Sequence, residues 1–201
     1  MDKLYTDYKI PDEKDERAKR NWFESYRLSK ARNKAILSLM IHQGLTTPEV
    51  SNLQLSDLKL KEGKIFIAGG RKSNERTLEL KSNQIIELME YQFTTRNELL
   101  KYCKGETNNL FISSPPFGRN YNVRTDCKEI WKRLSQEIRE QNNYFINFKQ
   151  VRTSVITHWL KQFNLRQVQY MAGHRYVSST EGYLVNHTED LQKDIDEFYP
   201  F

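Results

Sequence analysis

Three short stretches carry side chains suited to chemistry at a phosphate. In GHRYVSSTEGY (173–183), His174 stands nine residues ahead of Tyr183 across a run of small polar residues. A tyrosine can be a nucleophile, yet the chain has 11 tyrosines, so packing is the competing role. His174 follows a glycine that ends a helical pattern, and it can act near neutrality as acid, base or hydrogen-bond donor, or serve only structure. Arg152 lies three residues after Lys149 at the start of a strongly apolar helix. A desolvated guanidinium there needs an anion, either an internal carboxylate or a phosphate. Arg71 and Lys72 in the turn GRKSNE, with Arg76 just after it, can reach out to a phosphate or be merely solvated. In chain order, a basic hairpin, a cation-x-x-Arg at a helix start, then Gly-His, then a tyrosine nine residues on, they form a constellation for phosphoryl transfer. No second His, Cys or carboxylate stands at ligand spacing around His174, His158 falls on a different helical segment, and Cys103 and Cys127 lie far apart, so neither a metal nor a cofactor is expected.

The elements that must position these residues can be read from periodicity. Apolar residues recur at three and four from Ser29 to Gln43, which predicts a half-buried helix capped by Gly44. LTTPEVSNLQL predicts a short helix with Thr46 or Thr47 as its cap, Pro48 in the first turn and Glu49 near the positive end. KIFIAG (64–69) and RTLEL (76–80) read as two strands of a hairpin with a basic tip. Helical patterns return at 82–92, weakly at 95–103 and at 121–140, and FINFKQVRTSVITHWLKQF (145–163) runs into a helix with Val151, Val155, Ile156, Trp159 and Leu160 on its apolar face. Pro115, Pro116 and Gly118 interrupt them. LRQVQYMAG makes a short helix closed by Gly173, and 188–198 is an amphipathic helix with Thr188 as N-cap.

Composition sets outer bounds. The 201 residues suit one domain with its own core; 37% are hydrophobic and 29% charged, with no stretch long and apolar enough to span a bilayer. The formal charge of +6 favours a polyanionic partner. The N-terminus lacks the layout of an export signal, and the cysteine usage fits a reducing, cytoplasmic setting. Residues 1–25 read as a charged arm or linker remnant, exposed over 1–20.

From about Arg32 to the C-terminus the chain resembles the tyrosine recombinases, the family of phage integrases and Xer-type resolvases. AILSLMIHQGLTTPEVSNLQLSDL is similar to the first box, in which a helix ends at Gly-Leu before Arg-x-x-Glu. KIFIAGGRKSNERTLEL resembles the hairpin that carries the active-site lysine. FKQVRTSVITHWL is similar to the His-x-x-Arg box, and VQYMAGHRYVSSTEGY to Leu-Gly-His with its downstream tyrosine. The resemblance implies Tyr183 as nucleophile, with His174, Arg152 and Lys149 stabilising charge at the phosphate. It makes Glu49 the first-box acid and Lys72 the acid for the departing 5′-oxygen, with Arg71 as the alternative in that place. Arg71, Lys72, Arg76 and Arg175 are expected at the DNA. Two departures stand out: Thr46 occupies the first-arginine position, and Lys149 the second-box histidine position.

The resemblance implies a mainly α fold with a small antiparallel sheet (α+β), in a catalytic domain over 26–201. It implies double-stranded DNA as partner, a 3′-phosphotyrosine intermediate, and an oligomer on DNA through the helix 188–198, with no membrane association. The helical core-binding domain that precedes this domain in the family has no room in the chain, so weak binding in isolation is expected. Because Thr46 cannot supply charge or a bidentate fork, the alternative is a catalytically impaired relative that binds DNA in an architectural or regulatory role.

Overall fold

The computed structural model describes residues 2–12, 14–113, 121–122 and 127–184. Among them are helices α1 (Asp2–Asp7), α2 (Phe23–Gln43), α3 (Thr47–Asn52), α4 (Ser82–Glu90), α5 (Arg96–Leu100), α6 (Lys128–Gln141), α7 (Phe148–Leu160) and α8 (Leu165–Ala172), with a ninth, α9, over 178–184. Strands β1 (Leu58–Lys59), β2 (Lys64–Ile67) and β3 (Arg76–Glu79) form a three-stranded antiparallel sheet, and β4 (Cys103–Lys104) pairs in parallel with β5 (Tyr121–Asn122). The expected class, mainly helical with one small antiparallel sheet, is what the chain adopts.

α2 is the axis of the domain. Its buried residues run almost without break from Ala35 to Ile41, so the helix is surrounded rather than half-exposed. It packs against α1, α3, α4, α5 and α7. Gly44 ends it in the left-handed conformation at φ 60°, where a glycine carries no steric penalty. Thr46 then starts α3 by a closed capping box: its hydroxyl accepts from the Glu49 amide, and the Glu49 carboxylate accepts from the Thr46 amide.

Three differences from the sequence reading have physical causes. α4 does not stop near residue 92 but continues through a π-helical turn (Tyr91–Thr95) into α5, with Tyr91 and Thr95 buried against the body of the domain. α6 begins at Lys128 rather than 121, because Tyr121 and Asn122 extend into a strand pair with Cys103 and Lys104. The N-terminal segment is not an exposed arm throughout. α1 packs on α2, and Tyr8 is fully buried, its hydroxyl donating to Glu137 at 2.7 Å and accepting from Asn33 at 3.1 Å. Lys30 sits over the Tyr8 ring at 4.5 Å and pairs with Glu137 at 3.1 Å. Pro115, Pro116, Gly118 and the helix expected over 188–198, with the protomer exchange assigned to it, lie outside the described residues. No described helix is long and apolar enough to cross a membrane, and the described residues hold no cluster of metal-ligating side chains.

Candidate phosphate site

The hairpin, the N-terminus of α3, α7 and the turn after α8 meet around a cavity of about 600 Å³. Its walls include Thr46, Glu49, Arg71, Lys72, Arg152 and His174. Arg152 is the hub. Its Nη1 donates to the carbonyl of Gly44 and its Nη2 to the carbonyl of Ala172 at 2.6 Å, so it clasps the C-terminal ends of α2 and α8, where partial negative charge favours a cation. Nη1 also lies 3.7 Å from Glu49 Oε2, and Nη2 lies 3.3 Å from His174 Nε2. The side chain keeps 11% of its surface open. Of the two partners left open for Arg152, a carboxylate and a phosphate, the carboxylate is present, and the remaining surface faces the cavity.

His174 is pinned by the left-handed turn at Gly173, φ 68°. A Cβ at residue 173 would stand 2.4 Å from Arg76 Nη1, so only glycine lets the backbone lie on that guanidinium. The ring bonds Thr180 Oγ1 through Nδ1 at 2.9 Å and stacks on Tyr183, with centroids 5.8 Å apart and planes 13° from parallel. Tyr183, on α9, is part-buried against the small apolar cluster of Val155, Ile156 and Trp159. Arg152, His174 and Tyr183, distant in the chain, are therefore neighbours.

The hairpin tip is latched to the same turn. Gly70 and Ser73 close a tight turn with Arg71 and Lys72 at its centre, both exposed on the cavity wall. Asn74 donates to the Gly173 carbonyl at 2.9 Å, Ser73 pairs with His174, and Arg175 donates to the Gly70 carbonyl at 3.4 Å. Both hairpin cations reach the cavity, so Arg71 and Lys72 remain equivalent in placement. Lys149 is exposed on α7, one turn before Arg152, and does not line the cavity.

Arg76 is the correction. Expected to reach out to DNA, it is buried, with its side chain wholly inaccessible. It donates to Glu49 Oε1 at 2.6 Å and to the Met171 carbonyl at 2.9 Å. The reason is strand alternation: Arg76, Leu78 and Leu80 share the inward row, and Arg76 lies opposite Ile67. Its Nη2 is buried without a hydrogen-bond partner among the described residues. Thr46, a neutral side chain, offers the cavity no cation, and its hydroxyl is engaged with Glu49 at 2.9 Å. The sequence reading missed Thr180 and the Glu49–Arg76 pair. The alternation of Arg76 with two leucines was the available signal for the pair.

Electrostatics follow from burial and these pairs. Burial alone would raise the Glu49 pKa, but the hydrogen bond and charge of Arg76, with the Thr46 amide and Arg152, hold it below the ordinary carboxylate value. For His174, burial first, then the charges of Arg152 and Arg76, outweigh Glu49 and push the pKa down to about 4. Both shifts mean that the unfolded chain binds more protons in acid than the folded one. The stability from His174 is complete above its ordinary value of 6.5 and drains as pH falls toward about 4. That from Glu49 drains further down, below the usual carboxylate pKa of about 4.3. The urea midpoint is expected to fall between pH 7 and pH 5, and His174→Gln to flatten that fall. A variant that keeps the full wild-type slope would refute the assignment.

The chain matches the family model described as "Phage integrase family" over residues 18–190. It is 31% identical over 175 residues to tyrosine recombinase XerD of Staphylococcus saprophyticus, covering 84% of this chain and 55% of that protein. It is 28% identical over 172 residues to tyrosine recombinase XerC of Proteus mirabilis, covering 84% of this chain and 52% of that protein. The chain thus spans about half the length of the curated relatives it matches. A crystal structure of XerA recombinase shares the fold at a TM-score of 0.61 and 22% identity, covering 89% of this chain and 62% of that one. The structure titled XerH site-specific recombinase bound to difH substrate, pre-cleavage complex, does so at 0.65 and 17%, covering 91% and 47%.

Proposed function

Because the chain belongs to the phage integrase family, we propose that it is the catalytic part of a site-specific DNA recombinase that cuts and rejoins duplex DNA through a 3′-phosphotyrosine link. The observation that carries this reading is the convergence of Arg152, His174 and Tyr183 beside a cavity rimmed by Arg71 and Lys72. Tyr183 Oη bonds to phosphorus as the bond from phosphorus to the 5′-oxygen breaks. Its proton passes to His174 Nε2, and the departing 5′-oxygen takes a proton from Lys72. Arg71 is the alternative cation in that place, stabilising the oxygen rather than protonating it, since a guanidinium holds its proton. Arg152 stabilises the charge gathering on the non-bridging oxygens. A 5′-hydroxyl from a second strand reverses the step, so the bond energy is conserved without ATP. Arg175, exposed on the turn that meets the hairpin tip, and Lys149, exposed on α7 away from the cavity wall, hold the flanking backbone. Action on DNA in the cytoplasm, as an oligomer of this chain, belongs to the same proposal.

One observation favours a second reading, a DNA-binding relative without strand transfer: Thr46 is committed to capping and brings no cation to the cavity. Incubation with a nicked duplex that traps the covalent step separates the two. The recombinase reading expects a denaturant-stable protein–DNA species on a gel. Binding that weakens steeply with salt, with no such species at any enzyme concentration, would decide for the second.

A further inference from the structure

The histidine of the cavity has a defined tautomer. Arg152 Nη2 approaches His174 Nε2 at 3.3 Å, and a guanidinium can only donate, so Nε2 accepts and carries no proton. The single ring proton is therefore on Nδ1, which lies 2.9 Å from Thr180 Oγ1 and donates to it. Thr180 is fully buried and its amide is bonded to the Val177 carbonyl at 2.7 Å, so the hydroxyl has a fixed place. It stands on α9, three residues before Tyr183.

We propose that Thr180 is a positioning residue for strand transfer: by accepting the Nδ1 proton of His174 it keeps Nε2 unprotonated, its lone pair held by Arg152 in the free site and passed to the phenol when a phosphate draws the guanidinium away, and it ties that acceptor to the helix carrying Tyr183. This rests on the strand-transfer reading. As Tyr183 Oη bonds to phosphorus, its proton moves to Nε2 and the ring becomes an imidazolium, with Nδ1 still donating to Thr180. The 5′-oxygen leaves with a proton from the hairpin lysine, which balances the step. Without the Thr180 acceptor the ring is free to carry its proton on Nε2 instead. It would then meet the Arg152 donors with a third donor and have no lone pair to offer the phenol. A wrong tautomer disables an acid–base histidine even where its position is kept.

The charges around the ring agree. Arg152 on α7 and Arg76 on β3 disfavour a protonated ring, Glu49 on α3 favours one, and burial leads the balance toward the neutral form. Tyr183 covers one face of the ring. At neutral pH the free site therefore holds the ring neutral, with its Nε2 lone pair accepting from Arg152 until a phosphate takes that donor.

Nitrogen NMR of protein labelled in its four histidines reads the tautomer directly, with His174→Gln assigning the signal. At pH 7 the wild type and Thr180→Ser are expected to show a protonated Nδ1 and a bare Nε2, and Thr180→Val to shift toward Nε2 protonation. On the nicked duplex, Thr180→Val is expected to slow adduct formation by about 10²-fold, with Thr180→Ser restoring most of the rate. A wild-type ring protonated on Nε2, or a Thr180→Val protein with unchanged tautomer and rate, overturns the proposal. If the valine variant does not fold, the wild-type spectrum and the serine variant still decide. The expected tautomer together with no adduct from the wild type would sink strand transfer while upholding the hold of Thr180 on the ring.

Discussion

Tyr183→Phe is expected to bind the nicked duplex as tightly as the wild type and to form no covalent adduct. The change removes one oxygen and keeps the ring, so the stack on His174 and the contact with the Val155, Ile156 and Trp159 cluster survive. Stability is expected to shift by no more than about 0.5 kcal/mol, the size of a change that disrupts no packing. The nucleophile itself is gone, so the loss of adduct is complete rather than partial. Tyr176 and Tyr170 provide the control. Both are more than half exposed and neither stacks on the histidine; the Tyr170 hydroxyl is occupied at Thr77. Tyr176→Phe is expected to cleave at the wild-type rate. Adduct formation that persists in Tyr183→Phe, or vanishes in Tyr176→Phe, would move the nucleophile elsewhere.

Arg152→Ala has the next largest expected effect, a fall of about 10³-fold in the single-turnover cleavage rate. That corresponds to about 4 kcal/mol of transition-state stabilisation. With Thr46 in place, no other described guanidinium stands in the cavity as Arg152 does, since Arg76 is inaccessible and Arg71 sits at the tip of an exposed turn. Affinity for DNA is expected to change by less than about tenfold, because one phosphate contact among many is lost. Arg152→Lys keeps the charge but not the fork, and should recover only part of the rate. The fold is expected to tolerate both changes better than the loss of Arg76, whose wholly inaccessible side chain makes the shorter of the ion pairs to Glu49, at 2.6 Å. Equal cleavage by Arg152→Ala and wild type would remove the basis of the proposed chemistry.

Three of the helices that frame the site, α2, α3 and α8, were legible because each has strong punctuation. Gly44 and Gly173 close α2 and α8, and Thr46 opens α3. What escaped was tertiary or too short for a period to show. β1 is two residues long and exists only by pairing with β2. α9 hides in VSSTEGYL, where serines and a glycine obscure a helix that presents Thr180 and Tyr183 toward His174. Arg76 is expected at the DNA because it follows the basic hairpin tip, where a side chain can reach out to a phosphate. The alternation with Leu78 and Leu80 places it inside, and Glu49 offsets its desolvation there. Lys149 shows the converse: its spacing from Arg152 is right for the second box, yet its side chain stays in solvent.

The clasp of Arg152 on the Gly44 and Ala172 carbonyls has a bearing on how this site can diverge. A peptide oxygen is present whichever amino acid occupies the position, so no exchange of side chain at residue 44 or 172 deletes an acceptor. Drift in the surrounding sequence can recolour the rim of the cavity while the guanidinium keeps its berth. Only a lengthening, shortening or swing of the two helices would cast it loose.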